Sequence, residues 1–166
     1  MKALVTYYSE TGNTKELAQA IFEGVQEVEK EILPIHEAKN VDDYDLVFCG
    51  FPVQLHSVHP KAATFLKMIP EGKKLAVFVT HGSIRGGRLA VTAFEDVVTL
   101  VPNAKLLGTF GCRGKVKPGI IEKLVEKAEY KGWAEEARSA AGHPDEADLA
   151  DGKDFARRMV TKARAQ

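Results

Sequence analysis

The chain has 166 residues, of which 45% are hydrophobic and 8% aromatic, and this size and composition suit one packed domain over residues 1–166. Lysine plus arginine and aspartate plus glutamate both number 23, so the overall charge gives no strong attraction for nucleic acid or an anionic membrane. The longest apolar runs, such as 74–80, fall far short of the roughly 20 residues that cross a bilayer, so no membrane span is expected.

Short runs of bulky apolar residues alternate along the chain with segments whose apolar residues recur at helical spacing. In chain order, the pattern predicts a strand at 4–8, a helix at 17–28, a weaker strand at 31–35, a strand at 46–49, a helix at 60–68, a strand at 75–79, a helix at 88–100, a strand at 106–112 and a helix from about 117. Because the strands are apolar on both faces, they indicate a parallel sheet covered by helices on each side. The fold class is therefore doubly wound α/β.

The end of the chain predicts one more helix. Acidic residues at 145–151 precede basic residues at 157–164, an order that complements the helix macrodipole. Its apolar stripe consists of Leu149, Phe155 or Ala156, and Met159 or Val160. Gly152 within it costs about 1 kcal/mol relative to alanine.

The segment most informative about chemistry follows the first strand and precedes the first helix. It consists of Ser9, Glu10, Thr11, Gly12, Asn13 and Thr14. Three hydroxyls, an amide, the backbone N–H groups around a glycine and a helix N-terminus are donors suited to a phosphate. The lysine that ends a nucleoside-triphosphate loop is missing, which favours a terminal monophosphate held without metal. The alternative is an ordinary helix cap, which needs only one such residue.

This loop, together with the order of strands and helices along almost the whole chain, resembles the flavodoxin family. The resemblance implies a three-layer, five-stranded sheet in the order 2-1-3-4-5, with FMN at the carboxyl ends of the strands. It also implies that the loops after the third and fourth strands hold the flavin ring. The residues expected to contact the cofactor there are Gly50, Phe51, Pro52, Val53, Gln54, His56, Thr80, His81, Gly82, Ser83, Gly86 and Gly87.

Several of these ring contacts have a structural alternative. His56 and His81 either stack on the flavin or serve as solvated or capping side chains. Phe51 either shields the ring or belongs to the core. Nothing in the sequence connects Trp133 or Tyr130 with the flavin.

The chain departs from the flavodoxin pattern in charge and in its ring loops. Flavodoxins are usually acidic and commonly carry tryptophan or tyrosine in a ring loop, whereas this chain is neutral and both loops lack these residues. His81, Arg85 and Arg88 give the ring region a positive potential, which predicts a less negative lower redox couple than is usual for the family. Pro52 restricts the peptide rotation that reduced flavodoxins use in the loop after strand three.

Two functions remain after this comparison. The first is an electron carrier that shuttles electrons through FMN between redox partner proteins by transient contacts. The second is an FMN-dependent oxidoreductase that passes hydride from NAD(P)H to a quinone. Cys49 and Cys112 have no metal-ligand spacing, and Met1 leads directly into a strand rather than an export signal, so we expect a cytoplasmic protein.

Overall fold

The computed structural model describes residues 1–54 and 57–166, which form one parallel sheet with helices on both faces. The strands are β1 Lys2–Tyr7, β2 Glu29–Pro34, β3 Leu46–Pro52, β4 Lys74–His81 and β5 Lys105–Arg113. The helices are α1 Asn13–Gly24, α2 Pro60–Leu66, α3 Arg88–Leu100, α4 Pro118–Val125, α5 Lys131–Ser139 and α6 Glu146–Ala165, with a 3-10 turn at Ala128–Tyr130. The strand order is β2-β1-β3-β4-β5, which confirms the predicted fold class and topology.

The two faces of the sheet bury separate apolar clusters. α1 and α6 cover one face, where Phe48, Phe78 and Phe155 are buried with Leu17 and Ile21. α2 and α3 cover the other face. β3 is buried except for Pro52, and β4 is buried except for Lys74. This is expected for central strands that water reaches on neither face.

The connection from β2 to β3 contains no helix, and the predicted elements place none between the strands at 31–35 and 46–49. Segment 35–45 has no helix, and its apolar residues at every third position pack into the α2 and α3 face. The backbone N–H of Asp42 donates to the side chain of Asn40, a local turn that competes with helix formation. A short extended crossover therefore covers this part of the sheet.

Two glycines let α1 and α6 approach each other closely. A Cβ atom on Gly24 would lie 2.5 Å from the carbonyl oxygen of Lys153, and one on Gly152 would lie 2.8 Å from Cδ1 of Leu17. Glycine at 152 thus serves the packing of the two helices, which offsets its low helix propensity.

β5 and α6 are joined by the helical segment α4–α5, which forms a small apolar cluster of its own around Ile121, Ala134 and Ala137. α6 then begins with reciprocal hydrogen bonds between Asp145 and Asp148, in which each carboxylate accepts from the other residue's backbone N–H. None of the helices in the described parts of the chain has the length and apolar character needed to cross a membrane.

Candidate functional site

The loops after β1, β3 and β4 meet at the carboxyl edge of the sheet. The backbone N–H of Tyr8 donates to the Gly50 carbonyl at 2.9 Å, and that of Val53 donates to the Thr80 carbonyl at 2.9 Å. These bonds continue the ladder beyond the strands. β1 and β3 lie side by side here, and the chain leaves them in opposite directions across the sheet, which is the arrangement that creates a binding crevice.

The N-terminus of α1 carries no side-chain cap. Gly12 occupies the N-cap position with φ +98°, a left-handed conformation that favours glycine. Its N–H donates to Oγ of Ser9 at 3.2 Å, and this bond curls the loop back on itself. The helix-cap interpretation of the loop is therefore not supported, because none of its polar side chains caps the first turn. The N–H groups of that turn therefore have no side-chain acceptor, and a helix N-terminus of this kind favours an anion.

The polar side chains of this loop face in different directions. Thr11 is exposed, but the Thr14 side chain is buried and its hydroxyl shares a 2.8 Å hydrogen bond with the hydroxyl of Thr80 on β4. The amide of Asn13 donates to the Lys115 carbonyl at 2.8 Å, which joins the loop to the segment after β5. The hydroxyls of Ser9 and Thr11 thus remain near the surface, whereas that of Thr14 braces α1 against the sheet.

Glu10, an acidic residue in an otherwise anion-favouring loop, is held by a cluster of neighbouring side chains. Its carboxylate accepts from the Tyr8 hydroxyl at 3.0 Å and lies 3.6 Å from Nε2 of His59. The rings of Tyr8 and His59 stack with centroids 4.1 Å apart. The Lys61 ammonium lies 4.7 Å from the centroid of the Tyr8 ring. This cluster ties the loop after β1 to the start of α2.

Two titrations in this cluster are perturbed. Partial burial and the bonded Glu10 carboxylate raise the pKa of Tyr8 above its ordinary value. Burial lowers the pKa of His59, although the Glu10 carboxylate opposes the change. His59 Nδ1 accepts the N–H of Lys61 and caps α2, so the neutral ring carries its hydrogen on Nε2, toward Glu10.

The loop after β3 divides into a core part and a surface part. Phe51 is fully buried among α2 and α3 residues, so it belongs to the core. A Cβ on Gly50 would collide with the ring of Phe78, which explains the glycine by packing alone. Pro52 and Val53 are half-buried and Gln54 is exposed, and these residues form the surface at this edge. His56 lies outside the described residues.

The loop after β4 begins inside the protein. Thr80, His81, Gly82 and Ser83 are buried, whereas Gly86 is exposed and Gly87 half-buried. Nδ1 of His81 shares a 3.0 Å hydrogen bond with the Ser83 hydroxyl, and its buried Nε2 has no hydrogen-bond partner among residues 1–54 and 57–166. Burial lowers the pKa of His81, so the ring is held neutral beneath the surface.

A tryptophan that sequence reasoning left without a role lies against this loop. A Cβ on Gly82 would meet Val116 at 2.4 Å and the Trp133 ring at 3.5 Å. Arg113 holds the same parts together, because its guanidinium donates to the Ser83 carbonyl at 3.1 Å and to the Glu136 carbonyl at 2.7 Å. The sequence signal for this packing was the length of the chain between β5 and α6, which is longer than a single loop or helix needs.

The two cysteines take no part in this edge as reactive groups. Cys49 and Cys112 are both free and both buried. Burial raises the pKa of each thiol well above its ordinary value, which keeps them protonated.

Comparison with known proteins places this architecture in a family. The sequence profile of the flavodoxin domain matches residues 4–157. The chain is 32% identical over 175 residues to the flavodoxin-like domain-containing protein BilS of Clostridioides difficile (strain CD3), with 98% of each chain covered.

Solved structures show the same fold. A flavodoxin from the domain Archaea superposes with a TM-score of 0.66 at 17% identity and 99% coverage of both chains. A flavoprotein of Lactobacillus acidophilus in complex with FMN superposes with a TM-score of 0.53 at 20% identity, over 66% of this chain and 92% of that one. The topology, the open helix N-terminus beside the β1–β3 crevice and the match over most of the sequence agree, and the chain belongs to the flavodoxin domain family.

Proposed function

We propose that this chain binds FMN at the carboxyl edge of its sheet and carries electrons through it between redox partner proteins in the cytoplasm. The observation that supports this most directly is the uncapped N-terminus of α1, which opens beside the crevice between β1 and β3. A helix of this length whose first-turn N–H groups have no side-chain acceptor suits a phosphate monoester.

The residues present fit both ends of FMN. The first-turn N–H groups of α1 and the hydroxyls of Ser9 and Thr11 suit the phosphate, and hydrogen bonds to a charged group contribute about 1.5 to 3 kcal/mol each. Pro52, Val53 and Gln54 offer half-apolar surface and backbone groups to a flat ring. When bound, FMN supplies the redox chemistry, and the protein fixes its position and its electrostatic surroundings.

The covering of the loop after β4 supports the carrier over the NAD(P)H:quinone-type oxidoreductase. Val116 and Trp133 pack over Gly82, and Arg113 ties Ser83 to α5. Hydride transfer needs a nicotinamide to stack on the ring, and we infer that a ring held beside this packed loop leaves less open surface for a nicotinamide. Protein-to-protein electron transfer requires only an exposed ring edge.

The FMN site is tested by titrating FMN with the purified chain and following the quenching of flavin fluorescence. Gly12→Ala is expected to weaken FMN binding about tenfold or more. An alanine held at φ +98° costs about 1–2 kcal/mol, so the loop shifts and moves the N–H groups proposed to bind the phosphate. Gly72→Ala is the matched control, since Gly72 also has a positive φ and open space around its Cβ position. We expect similar losses of stability in both variants and unchanged affinity in the control.

Two results would count against the proposal. Absence of quenching by the unmodified chain would refute the FMN site. Equal loss of FMN affinity in both glycine variants would refute the assignment of phosphate binding to the N-terminus of α1. To separate the two functions, the FMN-loaded chain is mixed with NADH or NADPH and a quinone. We expect no steady consumption of the nicotinamide, whereas sustained turnover would favour the oxidoreductase.

A further inference from the structure

We propose that the solvent side of α3 is the contact surface of a symmetric dimer, in which α3 packs antiparallel against α3 of a second copy of this chain. The inference goes beyond the proposed function and does not depend on FMN. It rests on the exposed side chains of α3 and of the loop that precedes it.

Apolar side chains lie on the solvent side of α3. Val91 is 47% exposed and Val98 is 55% exposed. Ile84 in the preceding loop is 54% exposed, and its Cγ1 atom lies 3.5 Å from the Cβ position of Gly87, directly before the helix. By contrast, α1 and α6, both described over their whole length, expose no large hydrophobic side chain to this degree. α3 therefore differs from the other two long helices in having an apolar outer side.

The two exposed valines are also unfavourable in a helix that faces water. A β-branched side chain loses freedom about χ1 in a helix, so alanine or an unbranched residue stabilises an exposed position better. The ends of α3 do not offset this cost, because the helix has no side-chain cap, no acidic residue in its first turn and no basic residue in its last turn. Burial of the valines against another molecule does offset it.

The open side of α3 lies between two packed flanks. On one flank, the Asp96 carboxylate accepts from the Ser57 hydroxyl at 2.7 Å. On the other flank, the ring of Phe94 lies 3.6 Å from the Cβ position of Gly111 on β5. At about 100° per residue, these flanks lie about 100° to either side of the outer surface. The α3 stripe denotes the following residues of this outer surface and of the preceding loop: Ile84, Arg88, Val91, Glu95 and Val98.

Two opposite charges in the α3 stripe have no counter-charge. Arg88 and Glu95 are both exposed, and neither forms an ion pair within residues 1–54 and 57–166. Their separation along the helix axis is about 10 Å, which is too far for them to pair with each other. Arg88 is also the first residue of α3, where the helix macrodipole disfavours a cation. A carboxylate from outside the molecule is therefore favoured beside Arg88, and a cation is favoured beside Glu95.

The other charged groups around α3 are already bonded or lie beyond its flanks. Arg85 pairs with Asp151 of α6 at 2.6 Å. The Glu136 carboxylate accepts from the backbone N–H of Ile84 at 3.4 Å. The cations of the neighbouring elements α2 and β5, including the residue directly after α2, lie beyond the two flanks: Lys61, Lys67, Lys105 and Arg113. The α3 stripe thus presents one free charge of each sign.

A two-fold axis beside Val91 satisfies the charges and the apolar residues together. In an antiparallel pair of helices with this axis, each Arg88 faces the partner's Glu95, and the two Val91 side chains meet at the centre. Ile84 of each copy then reaches the partner's Val98 at the end of the contact. A parallel pair would place like charges opposite each other, which is destabilising. The α3 stripe is therefore complementary to itself, as a symmetric dimer requires.

Sedimentation velocity of the purified chain tests the dimer. α3 has 13 residues and is about 20 Å long, so the contact is small for a specific interface and the dimer is weak. Between about 10 µM and about 1 mM chain, we expect the average mass to rise toward two chains and to stop there. The mass of a single chain over this whole range would overturn the proposal. Growth beyond two chains would also overturn it, because a two-fold contact is closed.

Charge reversals test the pairing of Arg88 with Glu95. Arg88→Glu and Glu95→Arg each place like charges opposite each other twice, so each is expected to raise the dissociation constant of the dimer about tenfold or more. Arg88→Glu with Glu95→Arg restores both pairs, and we expect its dissociation constant to return to within about threefold of that of the unmodified chain. Arg158→Glu makes the same change in net charge as Arg88→Glu on the exposed side of α6, and we expect it to leave the dimer unchanged. Equal weakening by these two variants, or no recovery in the double variant, would overturn the proposal.

A pair of substitutions at exposed apolar residues tests the centre of the contact. Val91→Asp places two carboxylates beside the two-fold axis, and this variant is expected to sediment as a single chain. Met68→Asp is the matched control, because Met68 is 54% exposed and lies outside the α3 stripe. We expect its dimer to remain, and circular dichroism confirms that each variant is folded. A dimer that survives Val91→Asp, or that is lost equally in Met68→Asp, would contradict the proposed surface.

Discussion

Replacement of Thr14 by valine is expected to destabilise the fold and to leave the affinity for FMN unchanged. The Thr14 side chain belongs to the loop composition that indicates a phosphate, yet its hydroxyl is buried and bonded to that of Thr80 at 2.8 Å. Valine keeps the shape of the side chain and removes only the hydroxyl. The Thr80 hydroxyl is then left buried without its partner, which costs about 1–3 kcal/mol.

The partner change gives the matching control. Thr14→Val with Thr80→Val removes both hydroxyls together, and replacing both members of a buried polar pair by apolar groups of the same shape is nearly neutral. The loss in free energy of unfolding of the double variant is therefore expected to be smaller than the summed losses of the two single variants by roughly 1–3 kcal/mol. Thr11→Val, at an exposed position of the same loop, should instead weaken FMN binding and leave stability unchanged.

Urea unfolding followed by circular dichroism measures the stability part. With a slope of about 1–3 kcal/mol per molar urea, the single Thr14 variant should unfold at a midpoint lower by roughly 1 M. FMN fluorescence quenching measures the affinity part. Strictly additive losses in the double variant, or a loss of FMN affinity for Thr14→Val as large as for Thr11→Val, would refute the inward orientation of this hydroxyl.

Three further predictions concern packing and titration. Gly24→Ala should lower the free energy of unfolding by about 1–3 kcal/mol, because the new Cβ would meet the α6 backbone. Gly119→Ala in α4 has open space around its Cβ and should raise the free energy of unfolding by up to about 1 kcal/mol. Urea unfolding measures both variants. The hydrogen bond to Glu31 raises the pKa of Tyr44 to about 12. The stability that this bond contributes should therefore be lost as pH rises from about 10 to 12. In an ultraviolet titration of the tyrosines, the late phase should vanish in Tyr44→Phe. Burial lowers the pKa of His81, so stability should fall as pH drops below about 6.5, and NMR of the ring should show it still neutral at the pH where a free histidine is half protonated.

The sheet was predictable because its central strands are continuously apolar. β3 and β4 show this pattern directly, and only a parallel sheet covered on both faces buries such strands. The predicted elements likewise include no helix between β2 and β3, and the structure has none there. What the apolar pattern did not specify is that Ile35, Ala38 and Val41 of this segment pack into the cluster on the α2 and α3 face.

The candidate site was predictable in its location more than in its side chains. The position of the loop between β1 and α1 follows from the chain order alone. The inward face of Thr14 also follows from helical spacing, since it lies one turn before the buried Leu17 and Ala18. The contact of Trp133 with Gly82 depends on how α5 folds back over β4, which no local pattern specifies.

The two outer strands of the sheet have a consequence for self-association. An outer strand offers unpaired backbone groups to which a strand of another molecule can add, the first step toward aggregation. β2 discourages such pairing with Glu29, Lys30 and Glu31 and with Pro34, which has no N–H to donate. On β5, the pairing with β4 skips Leu107, and an irregularity of this kind twists the edge away from a flat partner. The chain is thereby protected against edge-to-edge growth of the sheet, and neutralising the charges of β2 would expose it to fibril formation.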